Sequence, residues 1–332
     1  MSLRIKFLER REVASPSIER VFNAVSSELE KSGVKTTFVK APFGNRFLST
    51  LLNLISFRPS DADVLHIAGH LNYLALVLPT NKTVLTFHDL TILDFRTGVR
   101  RWLIERLYFV WPARRLKYLT AISEATKNSL VELARIPPEK VKVIENPLLV
   151  KPKGVRNFND SKPTILQIGT AINKNVDRLI AALDGLSCTF RIIGPLSDPT
   201  KLLLSNAQID FVNDTFLTDE DIEDAYQDAD IVTLCSTHEG FGLPIIEAQA
   251  CGVAVVTSGK SPMREVAGGA ALLADPHDVG SIRNAIVRLI NDPQLRSELI
   301  EKGRKNVRRF NVDRIASEYL AIYHEIVMKN GR

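Results

Sequence analysis

The chain of 332 residues has little cysteine: three residues, Cys188, Cys235 and Cys251. The number is odd, no two form a CxxC pair, and no Cys/His spacing of a zinc site appears. This argues against a disulfide framework or a structural metal. Each lies in an apolar segment, so buried free thiols in a reducing compartment are expected. No apolar run approaches the ~20 residues that a membrane span needs. The opening MSLRIKFLERREV lacks the apolar stretch of a secretory leader, so a cytoplasmic location is expected. No GxGxxG follows a predicted strand, which argues against a dinucleotide-dependent oxidoreductase. Low-complexity tracts and short-period repeats are also missing.

What is present is a balanced globular composition, 45% hydrophobic and 24% charged, ample for more than one core. The net charge of +5 is uneven. Residues 1–150 hold 22 lysines and arginines against 14 acids, a surplus of eight, and the remainder holds 21 against 24. A basic first half suits phosphates or an anionic surface, or is simply soluble.

Short β-branched runs alternate with helical patterns. LRIKFL, TTFV, VLHI, TVLTF, YLTAIS and VKVIE form one series. TILQIG, TFRIIG, IDFV, DIVTLC, VAVVTS and AALLA form a second. Helical periodicity falls between most of them, at 17–31, 123–134, 175–185, 219–228, 244–251 and 278–291. Alternation of this kind predicts an α/β chain with two doubly wound parallel sheets facing each other. The break lies in NPLLVKPKGVRNFNDSKP (146–163). The expected organisation is therefore a first domain over 1–150, a linker over 151–163, a second domain over 164–312 and an amphipathic helix within 313–332.

The chemistry gathers in STHEGFGLPIIEAQACG (236–252), which reads as strand end, turn and helix start. Pro244 suits a first helical turn. Gly240 and Gly242 let backbone N–H groups approach a ligand, and a helix N-terminus favours phosphate. Glu247 accepts hydrogen bonds, as from ribose hydroxyls. Glu239 sits at a strand's carboxyl end, where open sheets bind ligands. A nucleotide-sugar fits this set. The alternative is that both glutamates merely favour a helix start.

These residues carry a resemblance. EGFGLPIIEAQACGVAVV (239–256) is similar to the EGFGLPxxEAMAxGxPVV segment of the retaining GT-B glycosyltransferases of family four. The resemblance covers nearly the whole chain and is closer after Pro163. It implies two Rossmann-like domains with a cleft between them, and a terminal helix crossing back to the first. By the same likeness Glu247 holds the nucleotide ribose and Glu239 contacts the donor sugar, with Gly240, Phe241, Gly242 and Leu243 forming the donor loop. LQIGTAINKNVDRLIAAL (166–183) resembles the family's strand–glycine–loop–Lys-Asn–helix segment, which places Gly169, Thr170 and Lys174 at the donor diphosphate. Thr170 stands where many members carry arginine, so one cation serves where two serve elsewhere. TVLTFHDLTILD (83–94) resembles a segment whose histidine faces the donor sugar. This makes His88 a catalytic candidate beside Glu239 and Lys174, with Asp89 holding the loop or orienting His88. The loop after the first strand lacks the family's double glycine, and the sequence leaves open whether Arg10, Arg11 or Glu19 reaches a substrate.

The implied activity is retaining, metal-independent transfer of a hexose-type sugar from a nucleoside diphosphate-sugar to a hydroxyl acceptor, in cell-surface polysaccharide or glycan synthesis. No cofactor and no nucleic acid is implied. The DAD triplets at 61–63 and 228–230 imitate a metal-binding DxD but precede buried strands and read as turn residues. The basic, aromatic stretch 98–118 is either an ordinary packed helix or a face that touches an anionic membrane near a saccharide or lipid-linked acceptor. A nucleotide-sugar epimerase and a non-catalytic donor-binding subunit stay open as rivals.

Overall fold

The computed structural model describes residues 2–11, 17–44, 47–57, 61–154 and 157–331. Residues 12–16 of the loop after the first strand and 155–156 of the expected linker lie outside them. The chain divides into two compact units, Met1–Leu149 with Asn311–Arg332, and Val150–Phe310.

The first unit holds a parallel sheet of β1 (Arg4–Glu9), β2 (Lys35–Lys40), β3 (Val64–Ile67), β4 (Thr83–Phe87), β5 (Tyr118–Ala121) and β6 (Val141–Val143), in the order β2-β1-β3-β4-β5-β6. The second repeats the scheme with β7 (Thr164–Ile168), β8 (Thr189–Ile193), β9 (Asp210–Asp214), β10 (Ile231–Leu234), β11 (Ala254–Ser258) and β12 (Leu272–Ala274), in the order β12-β11-β10-β7-β8-β9. Each β-branched run of the sequence forms its strand. Inner strands such as β4 and β11 are buried on both faces, which is why they read as continuous apolar runs. The edge strands β2 and β9 begin and end on charge, Lys35 and Lys40 or Asp210 and Asp214, which discourages pairing with another chain.

Helices cover the sheets through single apolar stripes. In Ser17–Lys31 the buried Val21, Phe22, Val25 and Leu29 recur at three- and four-residue spacing, each contributing about 1.5–3 kcal/mol by leaving water. Glu19 in its first turn and Lys31 in its last complement the helix dipole.

The terminal helix Val312–Lys329 belongs to the first unit. Tyr319, Ile322, Tyr323 and Ile326 are buried along it. Tyr323 Oη lies 2.7 Å from Nδ1 of the fully buried His66, and His66 Nε2 lies 2.7 Å from Thr86 Oγ1. Thr86 is in turn bonded to Thr120 at 2.6 Å. At the helix end, Asn330 and Asn81 exchange two hydrogen bonds of 3.0 Å. Residues expected as a linker are strapped to the second unit. Lys151 N and Lys153 N donate to Glu223 and Gln227, and Lys153 Nζ lies 2.7 Å from Asp224.

In each sheet the winding reverses once, between β1 and β3 and between β7 and β10. The carboxyl ends of those strands flank the crevices where doubly wound folds bind ligands. The three cysteines are buried and unbridged, and burial pushes the thiols of Cys235 and Cys251 up to about 12. Among the described residues no helix is long and apolar enough to cross a membrane.

Candidate active site

The crevice of the second unit is built by the loops that leave β7 and β10. After Ile168 the chain turns at Gly169, φ +88°, where a Cβ would lie 3.0 Å from Lys174 Cε. The positive φ and the lysine packed across it both call for glycine. A 3₁₀ turn, Ile172–Lys174, follows, then Asn175 at φ +62° and the helix Val176–Leu183. Asn175 Nδ2 donates to Cys235 O at 2.9 Å and to Pro276 O at 2.7 Å. Thr237 N donates to Asn173 O, and Asn173 Nδ2 to His238 O, each at 2.9 Å. The two loops are thus stitched together by asparagines that the sequence reading did not single out. The signal was the Asn-Lys-Asn run itself, since asparagine tolerates left-handed backbone and bonds locally.

This stitching brings Lys174 and Glu239 together. Lys174 Nζ lies 2.7 Å from Glu239 Oε1, and the side chains retain 19% and 12% of their exposure. Thr170 points elsewhere: Oγ1 donates to Pro195 O at 2.5 Å, into space that Gly194 leaves free.

The helix Leu243–Ala250 starts at Gly242, φ +117°, with Pro244 in its first turn. A Cβ on Gly242 would meet Ile245 Cδ1 at 3.0 Å. Phe241 is buried edge-to-face on Phe310, with ring centroids 5.7 Å apart, so its side chain anchors the loop to the core. Gly240 and Leu243 remain half-exposed beside it. Glu247 is 5% exposed and accepts a 2.6 Å hydrogen bond from Tyr226 Oη. Tyr226, on the helix Asp219–Asp228, is a contact that motif reading missed.

His88 sits at the carboxyl end of β4 in the first unit. It is 5% exposed, and its Nε2 donates to Ala68 O at 2.7 Å, which leaves Nδ1 as the acceptor nitrogen. Burial first, then His70, lowers its pKa to about 4, so the ring is neutral near pH 7. The His70 ring lies 5.8 Å away, edge-on. Asp89 Oδ1 accepts from Thr91 N at 2.9 Å and so shapes the loop. Nearby Arg10 pairs with Glu19 at 3.1 Å. Glu9 is buried, and burial followed by the charge of Glu19 raises its carboxyl. The structure thus groups Lys174, Glu239 and Glu247 in one unit and His88 in the other. The last aspartate of each DAD triplet bonds distant backbone at a strand start: Asp63 accepts from Arg4 N, and Asp230 from Asn159 N and Thr164 N.

Two family models divide the chain between them, Glycosyltransferase Family 4 over residues 18–148 and Glycosyl transferases group 1 over residues 152–306. The chain belongs to the GT-B glycosyltransferases of family four. The chain is 27% identical over 250 residues to an MMP alpha-(1->4)-mannosyltransferase of Mycolicibacterium hassiacum, covering 70% of the present chain and 59% of that protein. It is 35% identical over 108 residues to O-antigen chain mannosyltransferase B of Escherichia coli, covering 32% and 28%. The chain thus spans less than two thirds of the length of either relative. Its fold is similar to that of sucrose-phosphate synthase from Thermosynechococcus elongatus, with a TM-score of 0.80, 15% identity and coverage of 98% and 100%. It is also similar to Anabaena Alr3699/HepE, seen in complex with UDP and glucose, with a TM-score of 0.74, 17% identity and coverage of 96% and 99%.

Proposed function

We propose that the transferase moves a hexose-type sugar from a nucleoside diphosphate-sugar to a hydroxyl acceptor, with retention and without a metal. The observation that carries this reading is the Lys174–Glu239 pair, 2.7 Å apart at the sheet's reversal point. Lys174 and the N–H groups before the helix Leu243–Ala250 take the charge of the departing diphosphate. Glu247 receives the ribose hydroxyls, and Glu239 orients the donor sugar. His88, neutral and with Nδ1 as its acceptor nitrogen, accepts a hydrogen bond from a sugar hydroxyl; its one N–H is already given to Ala68 O and cannot serve a phosphate oxygen. By likeness to the family, the reaction runs as front-face substitution, with the diphosphate helping to deprotonate the acceptor; no carboxylate is assigned as a nucleophile. The likeness to a protein seen with UDP and glucose supports a nucleoside diphosphate-sugar donor.

The acceptor is a saccharide or a lipid-linked saccharide in cell-surface glycan synthesis, reached at the inner face of the membrane. Phe95, Val99, Trp102 and Trp111 are exposed alongside Arg96, Arg100 and Arg101. Apolar side chains interleaved with arginines suit a peripheral contact with anionic lipid.

The test is donor hydrolysis and transfer over a panel of UDP-, GDP-, ADP- and dTDP-sugars, with and without EDTA. Turnover of one donor class that Lys174→Ala abolishes and EDTA spares supports the reading. Failure of every donor to bind or turn over removes it.

A further inference from the structure

Part of the basic surplus of the first half gathers at the end of the first sheet opposite the strands' carboxyl ends. A cavity of about 580 Å³ opens there, between the starts of β5 and β6 and the last turns of the terminal helix. Lys117, Lys127, Lys140, Lys142 and Lys329 line it, against only Glu139 and Glu325. The lysines are differently engaged. Lys140 Nζ donates to Ala113 O and Arg114 O, closing the end of the helix Trp111–Arg115. Lys329 pairs with Glu325 at 2.6 Å, and Lys127 loosely with Glu124 at 3.8 Å. The side chains of Lys117 and Lys142 are exposed and have no hydrogen bond or ion pair with any described residue.

We propose that this cavity is a second ligand site, one that binds a phosphate group. Like charges gathered in one concavity repel unless an anion joins them, and a concave wall strengthens the field. Lysine ammonium groups act on phosphate as point charges without demanding a planar partner. Half-buried Tyr118 and the edge of the buried Ile322 give the cavity an apolar wall for the organic part of a phosphorylated molecule. A ligand there touches both the strand ends and the terminal helix, so its binding tightens the helix on the sheet. The site is independent of the transfer reading, because none of its residues belongs to the donor crevice.

The test uses the full chain carrying Lys174→Ala, so that the donor loop's lysine does not contribute. Inorganic pyrophosphate is titrated calorimetrically into this protein and into the same protein with Lys117→Ser and Lys142→Ser. The expected result is binding that weakens at least tenfold when both lysines are removed, together with loss of the thermal stabilisation by pyrophosphate. Sedimentation with phosphatidylglycerol or phosphatidylcholine vesicles separates the sources. Lysine-dependent binding of the anionic vesicles assigns the phosphate to a lipid headgroup, and binding of pyrophosphate alone assigns it to a soluble molecule. Equal binding of both probes by the two proteins, or no binding of either, overturns the proposal.

Discussion

Lys174 Nζ and Glu239 Oε1 lie 2.7 Å apart, so the cation assigned to the diphosphate is already paired with the carboxylate assigned to the sugar. A diphosphate must draw Lys174 partly away from Glu239. Glu239→Gln should therefore bind free nucleoside diphosphate slightly more tightly than the parent, by up to about fivefold, the value of a modest ion pair. Transfer should fall by ~10²-fold or more if the carboxylate orients the sugar. Lys174→Ala should weaken both. Calorimetry with the diphosphate and initial rates with the donor check this, and weaker binding by Glu239→Gln would show that the pair is not competitive.

Glu247 is held by Tyr226 through a 2.6 Å hydrogen bond in a buried setting. Tyr226→Phe keeps the ring packed and removes one donor to a carboxylate. Loss of a hydrogen bond to a charged group costs about 1.5–3 kcal/mol. Urea unfolding should show a lower midpoint that, multiplied by an unchanged m-value, amounts to a loss of that size. If Glu247 also holds the ribose, affinity for nucleoside diphosphate should fall while affinity for pyrophosphate stays the same.

The strands were legible because inner strands of parallel sheets are apolar on both faces, so β3, β4, β10 and β11 stand out as runs of β-branched residues. Helices with a clean stripe, such as Ser17–Lys31, were equally readable. Phe47–Ser56, Asp198–Asn206 and Pro293–Asn306 passed unnoticed. The first inverts the usual pattern, burying Thr50 and Asn53 while Leu51, Leu52 and Ile55 are exposed, and the second and third bury few of their residues. In the site, the glycines and charged residues declared themselves by type. The tertiary contacts did not: nothing local in the sequence announces that Phe241 packs on Phe310, that Thr170 bonds Pro195, or that Tyr226 meets Glu247.

Acid should loosen the first unit through its buried imidazoles. Burial lowers His66 from 6.5 to about 3 and His88 from 6.5 to about 4. Below pH 6.5 the unfolded chain takes up protons that the folded protein refuses, so stability falls as pH falls. The loss is about 1.4 kcal/mol per pH unit for each histidine. It ends near pH 4 for His88 and near pH 3 for His66. His66→Gln should be less stable at pH 7, because Tyr323 and Thr86 lose part of their bonding. Its stability should nonetheless fall less steeply between pH 6 and 4.5, by the slope of one histidine, since His88 and the likewise lowered His70 remain. Glu9, whose raised carboxyl acts in the opposite sense, is common to both proteins and cancels in the comparison. Urea titrations at half-unit steps measure the two slopes, and parallel slopes would refute the assignment.

Asn175 combines two burdens that substitution can separate. Its backbone sits at φ +62°, and its amide donates to the carbonyls of Cys235 and Pro276. Asn175→Gly accepts the backbone but leaves both carbonyls without that donor, at about 1–3 kcal/mol each. Asn175→Ala adds about 1–2 kcal/mol of left-handed strain. Stability should therefore decrease from the parent to the glycine variant and again to the alanine variant. Because the same bonds hold the Lys174 loop to the Glu239 loop, affinity for nucleoside diphosphate should fall in the glycine variant even where the protein is fully folded. A glycine variant with parental stability and affinity would mean that left-handed backbone alone, and not the amide bridge, is what the position supplies.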